Sequence, residues 1–144
     1  MRRGLGIAHL VPASLAGTPG EAFAAGLCSA LRDGGIDSTL VPCRDEDDAA
    51  AALAPALALG RFDAVHAHGA QGACHAAALL RDWPLLPVIA TLHDAPPRGW
   101  RQAWRLRQAL RAMDEVTAVS MPLARRHAWL AGRAIAVTPP GVSL

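Results

Sequence analysis

The chain has 144 residues, 52% of them apolar, and a net charge of +2 built from fourteen Arg against twelve acids, with no Lys, Asn or Tyr anywhere. That length supports a single domain with a real hydrophobic core, spanning residues 1–144, and is too short for two ordinary ones. It excludes a Walker A loop and a Schiff-base lysine, which need Lys, and N-glycosylation, which needs Asn.

No apolar run reaches the ~18 residues of a membrane span. The opening MRRGLGIAHLVPASLAG imitates a signal peptide, but His9 and Pro12 interrupt a short apolar region, and a first β-strand fits better. GLGIAHLV (4–11) is that strand, closed by the turn residues LAGTPG. Residues 20–33 carry Phe23, Leu27, Ala30 and Leu31 at helical spacing, and Gly34-Gly35 stops the helix. IDSTLVP (36–42) reads as a second strand, and the acids 45–48 then open an Ala-rich helix, where negative charge suits the positive end of the helix dipole. FDAVHA (62–67) is a third strand and 69–82 a helix. LPVIATL (86–92) is β-branched and bounded by Pro, the clearest strand of all. A helix rich in Arg and Trp follows over 99–112, then strand 115–119, helix 122–131 and strand 133–139.

This alternation, with short strands apolar on both faces, predicts an α/β fold: a Rossmann-like, doubly wound parallel sheet of about six strands. Ligands of such sheets bind beyond the carboxyl ends of the strands. His66, His68 and His75 with Cys74 crowd the end of strand three, yet their spacing matches no common zinc pattern, so no metal is expected. His66 and His75 read as satisfied strand-end histidines, whereas His68, beside Gly69 at the tip, is the one expected in the crevice. His93 follows the fourth strand and precedes Asp94; it either closes a loop or meets substrate hydroxyls as a donor or proton acceptor. The loop Gly17 to Glu21 opens the first helix, whose backbone N–H groups could cradle a phosphate.

Charge is lopsided: residues 1–97 hold six Arg against ten acids, residues 98–144 eight Arg against two. That suggests an anionic partner for the C-terminal part, although +2 overall predicts no nucleic acid. Within 99–112, Trp100 and Trp104 share one face and Arg101 and Arg105 a neighbouring one; at least one Trp is expected to pack on the sheet, and the helix is a candidate for contact with anionic lipid. Three widely spaced cysteines fit a reducing cytosol, hence a cytoplasmic protein, possible contact being at the inner membrane face.

Taken in order, FDAVHAHG, PVIATLHD, MDEVTAVS and AIAVTPPGV resemble the N-terminal domain of family 4 glycosyltransferases, retaining enzymes of GT-B fold whose members read D-V-V-H-A-H, T-x-H, A-D-x-V-x-x-V-S and V-I-P-N-G-V at these places. The resemblance implies an acceptor-binding domain that works with a C-terminal domain holding most of a nucleoside diphosphate sugar, and it implies no cofactor. Residue by residue it points to His93 at the reaction centre, to His68, Asp94 and Ser120 around the substrate, and to Gly17, Thr18, Gly20 and Glu21 as the loop approaching the donor diphosphate. The sequence departs from the family at Thr18-Pro19, where Gly-Gly is usual and where Pro19 lacks an N–H donor, and at Pro139-Pro140-Gly141.

The resemblance therefore implies the acceptor half of a transferase moving a hexose to a hydroxyl acceptor, with little or no turnover by this chain alone. Two other readings remain: a non-catalytic Rossmann-like binding module, and a nucleotide-dependent oxidoreductase. The missing G-x-G-x-x-G and the absence of an acid after strand two argue against the second.

Overall fold

The computed structural model describes residues 4–138. Six strands alternate with five helices: β1 (Gly6–Pro12), α1 (Pro19–Asp33), β2 (Asp37–Cys43), α2 (Glu46–Ala58), β3 (Ala64–His68), α3 (Gly69–Leu79), β4 (Val88–Leu92), α4 (Trp100–Ala112), β5 (Glu115–Ala118), α5 (Met121–Ala131) and β6 (Ala136–Val137). The doubly wound expectation holds, with boundaries within a few residues of the sequence reading. Strand six is the exception: two residues rather than the seven expected. Pro139-Pro140-Gly141 and the tail beyond them lie outside the described residues.

All pairings are parallel, in the order β2-β1-β3-β4-β5-β6. Right-handed crossovers then dictate the layers. The chain moves one way from β1 to β2 and the other way in every later step, so α1 covers one face alone while α2 to α5 share the opposite face.

The two faces differ chemically because strand side chains alternate. Toward α2–α5 point Ala8, Leu10, Val65, Ala67, Val88, Ala90, Leu92, Val116 and Ala118, all buried in one core with Leu53, Leu57, Leu79, Leu106 and Leu110. The residues between them point toward the α1 side, where the buried apolar cluster is only Val11, Leu15 and Ala24. Much of the rest of that face is polar, with His9, His66, His68, Thr91 and Thr117 on it.

Local chemistry sets the helix ends. Asp45 Oδ1 caps α2 by accepting the Asp48 N–H at 2.8 Å, with three acids following in the first turn. Gly132 ends α5 at φ 65°, a left-handed position that suits glycine.

Candidate functional site

The reversal of strand order lies between β1 and β3, where the connections leave to opposite sides, the point at which sheets of this kind bind ligands beyond their carboxyl ends. Three elements converge there: the loop from β1 into α1, the step from β3 into α3, and the segment after β4.

Register explains what meets in this place. His9 pairs with His66 across β1 and β3, and His68 pairs with Thr91 across β3 and β4. His66 and His68 sit two apart on one strand, so both face α1 and their rings stack at 4.2 Å. His93 continues β4 on the same side. The result is a chain of hydrogen bonds: Ser38 Oγ to His9 Nε2 at 2.6 Å, His9 Nδ1 to His68 Nε2 at 3.2 Å, and His68 Nδ1 to His93 Nε2 at 3.2 Å. A side branch joins His66 Nε2 to Thr91 Oγ1 at 2.7 Å and Thr91 to Thr117 at 2.9 Å. Phe23 of α1 closes the cluster, edge-on to His93 at 5.0 Å between ring centres.

Burial keeps these imidazoles neutral, because a charged ring would lose its hydration. It pushes His9 down to about 4, helped by Arg32, His66 down to about 3 and His68 down to about 2, the last two depressed further by their neighbours. His93 is also lowered by burial, against an opposing pull from Asp94.

The residues expected from sequence come together unevenly. His93 is half-buried at the tip of β4. Gly20, in the first turn of α1, packs directly on it: a Cβ there would lie 3.1 Å from His93 Cβ and Cγ. The loop from β1 into α1 is thus built against His93. Gly17 holds φ 72° and its N–H reaches Glu21 Oε1 at 3.4 Å, while Thr18 Oγ1 donates to the Leu15 carbonyl at 2.6 Å.

His68 differs from its expected place. It is fully buried, so it does not line the crevice; it lies behind His93 and bonds to it. Asp94 accepts the Ala70 N–H at the start of α3, at 3.1 Å, and its carbonyl accepts from His127 at 2.7 Å. Ser120 caps α5, accepting the Leu123 N–H at 3.4 Å. His75 belongs to a separate pair on the far face, 3.4 Å from Cys43 Sγ, and burial with nearby Asp48 and Asp45 pushes that thiol up to about 11.

Sequence reasoning missed His9 and Ser38. Both lie mid-strand, and only the β2-β1-β3 order places them beside His68. His9, His66 and His68 offer ring nitrogens within 4.8 Å of one another, the one grouping among the described residues that could hold a metal ion. The ring nitrogens of His9 and His68 are, however, both engaged in the hydrogen-bond chain.

A cavity of about 840 Å³ opens between α2, α3 and α4. It is lined by Arg44, Asp45, Gln71, His75, Asp94 and Arg98 among others, and it meets the β4 tip at Asp94 and not at His93. Arg105 borders it, bonded to Glu46 at 2.6 Å. On the other flank of α4, Trp100 (75% exposed), Trp104 (58%) and Trp129 of α5 (87%) surround a second groove. Neither Trp of α4 packs on the sheet as expected, because Leu106, Ala109 and Leu110 take that face.

A sequence model of Glycosyltransferase Family 4 matches residues 48–144, more than half of the chain. The chain belongs to glycosyltransferase family 4. Membership supports a glycosyltransferase-type function and agrees with the parallel Rossmann-like sheet. No curated protein matches this family member. Among solved structures it is similar to a fatty acid ABC transporter substrate-binding protein from Thermomonospora curvata, at 22% identity and a TM-score of 0.46, over 63% of this chain and 23% of that one. The chain thus spans under a quarter of that protein's length, and a likeness at this level says nothing of function.

Proposed function

We propose that this domain is the acceptor-binding half of a retaining GT-B glycosyltransferase, which moves a hexose from a nucleoside diphosphate sugar to a hydroxyl acceptor. One observation carries the reading: His93 stands at the tip of β4 with Gly20 of the donor-side loop packed on its ring. His93 touches the reacting hydroxyl. The first turn of α1, with the loop Gly17, Thr18, Gly20 and Glu21, faces the donor diphosphate, although Pro19 withholds one N–H. Asp94 and the cavity beside it receive the acceptor, and Ser120 lies at the edge of that region.

Transfer needs charge stabilisation on the departing diphosphate. In this reading most of it comes from the donor-binding domain, so the isolated domain is expected to bind acceptor weakly and turn over little. The test is reconstitution with a donor-binding domain, in cis or in trans. Nucleoside diphosphate sugar should then be consumed, and His93→Ala should cut kcat/KM by ~10² or more. Tight protein binding with no sugar consumption would instead favour a non-catalytic interaction module.

A second reading, on a different surface, is peripheral membrane contact from the cytoplasmic side. No helix among the described residues is long and apolar enough to cross a membrane. Three exposed tryptophans in one patch, with Arg101 stacked on Trp100 at 5.3 Å, have the mixed apolar and cationic character that anionic headgroups attract. Arg105 is not part of that patch, being held by Glu46 on the other flank. Co-sedimentation with anionic vesicles, lost in Trp104→Ala/Trp129→Ala, checks it; equal binding to zwitterionic vesicles would refute the electrostatic part.

A further inference from the structure

A neutral imidazole carries one ring proton, so a nitrogen that donates obliges the other to accept. His9 and His68 each spend both ring nitrogens on neighbours in the chain Ser38–His9–His68–His93. Direction therefore propagates from end to end, and only two arrangements exist. In one, the Ser38 hydroxyl donates to His9 Nε2, His9 Nδ1–H to His68 Nε2, and His68 Nδ1–H to His93 Nε2. His93 then holds its proton on Nδ1. In the other, every bond is reversed, and His93 Nδ1 is bare.

The far end decides between them. Ser38 is fully buried, and its hydroxyl has no described partner besides His9. Reversing the chain makes Ser38 Oγ an acceptor and leaves its own O–H with nothing to donate to. An orphaned buried donor biases the equilibrium by ~10-fold or more. The forward arrangement leaves no such orphan. No described residue engages His93 Nδ1, the nitrogen at the open end.

We infer that Ser38, His9 and His68 form a relay that locks His93 in the Nδ1–H tautomer, so that it meets substrate as a hydrogen-bond donor to a sugar or acceptor oxygen and not as a base. His68, His9 and Ser38 are positioning residues acting through His93. His66 stacks on His68 and is held by Thr91, which keeps that ring in the plane the relay needs. Use of the donor in sugar transfer rests on the function proposed above; the tautomer itself does not.

Long-range ¹H–¹⁵N spectra of histidine-labelled protein distinguish protonated from bare ring nitrogens. At pH 7.5 the expected pattern is a proton on Nδ1 and a bare Nε2 for His9, His68 and His93 alike, by ~10-fold or more. His93 bare at Nδ1, or an even mixture, overturns the inference, and this wild-type measurement decides it even if no variant folds. Ser38→Ala removes the deciding hydroxyl, so the His93 ratio should fall about tenfold toward parity, with backbone amide spectra confirming the fold. An unchanged ratio overturns the relay. So does stoichiometric Zn²⁺ binding that displaces the ring protons of His9 and His68. None of these spectra needs a sugar donor, so their outcome is separate from any turnover measured for His93→Ala.

Discussion

Acidification tests the histidine cluster most severely. His9, His66 and His68 have folded values of about 4, about 3 and about 2, all below the ordinary histidine value near 6.5. Between pH 6.5 and about 4 the unfolded chain binds these protons while the folded chain does not. Stability therefore rises with pH in that window, is complete above about 6.5, and drains away as pH falls below it. Each imidazole contributes a slope of up to ~1.4 kcal/mol per pH unit. Three together reach ~4 kcal/mol per unit, or ~6 kcal/mol lost between pH 7 and pH 5. Domains of this size have ~5–15 kcal/mol in all.

Burial also lowers His75, His93 and His127, which act in the same direction. The protein should approach acid unfolding near pH 5, well above the range in which carboxylates ordinarily protonate. Urea melts at pH 8, 7, 6 and 5, followed by circular dichroism, read this directly through the midpoint at constant m. An unfolding free energy that changes by less than about 1 kcal/mol between pH 7 and 5 would refute the claim that these rings are buried and neutral.

Other consequences are local. Gly20→Ala sets a methyl 3.1 Å from His93 and 3.3 Å from Leu15, so it should cost ~1–3 kcal/mol in a thermal melt and shift the His93 ring resonances. Gly6→Ala is worse: its Cβ would collide with the Arg61 carbonyl, which is backbone and cannot step aside, and a loss of ~3 kcal/mol or disruption of the start of β1 is expected by the same assay. Leu110→Ala, at a fully buried site on the core-facing side of α4, should cost ~2–5 kcal/mol by urea titration, whereas Trp129→Ala on the exposed patch should stay within ~0.5 kcal/mol. Cys43 should resist thiol reagents at pH 8, since burial and two nearby acids hold it protonated; rapid labelling of the folded protein would contradict that.

The element order was legible because two periodicities coexist in this chain: apolar runs of strand length, and helical stripes ended by Gly34-Gly35 or opened by Asp45. Strand pairing was not legible. Nothing in the string of residues says that β2 and β3 flank β1, and that fact alone joins Ser38 to His9 and His9 to His68. His93 was visible because its position is local, directly after the most β-prone run. His68 was visible as a strand-tip residue, but its role depends on depth, which a sequence encodes only through what covers the strand. The Trp100 and Trp104 expectation failed for a related reason: helix α4 carries apolar residues on two faces, and the sheet selected the one bearing Leu106 and Leu110.

The same topology accounts for why polar residues persist inside this domain. One helix faces four on opposite sides of the sheet, so the α1 side cannot assemble an apolar core of comparable size. Ile89, on that side of β4, remains 38% exposed. A sheet face covered by a single helix tolerates imidazoles, provided each ring nitrogen has a partner. In the cluster beneath α1, His9 and His68 meet that condition by linking rings to one another, which ties the protonation of His93 to a serine on the far strand. Stability in acid and chemistry at the crevice thus draw on one set of hydrogen bonds. A substitution at His9 that preserves shape but not both ring nitrogens, such as His9→Phe, should therefore disturb the His93 tautomer and flatten the pH–stability slope by about one proton together. Separation of those two effects would show that the rings are neighbours without being linked.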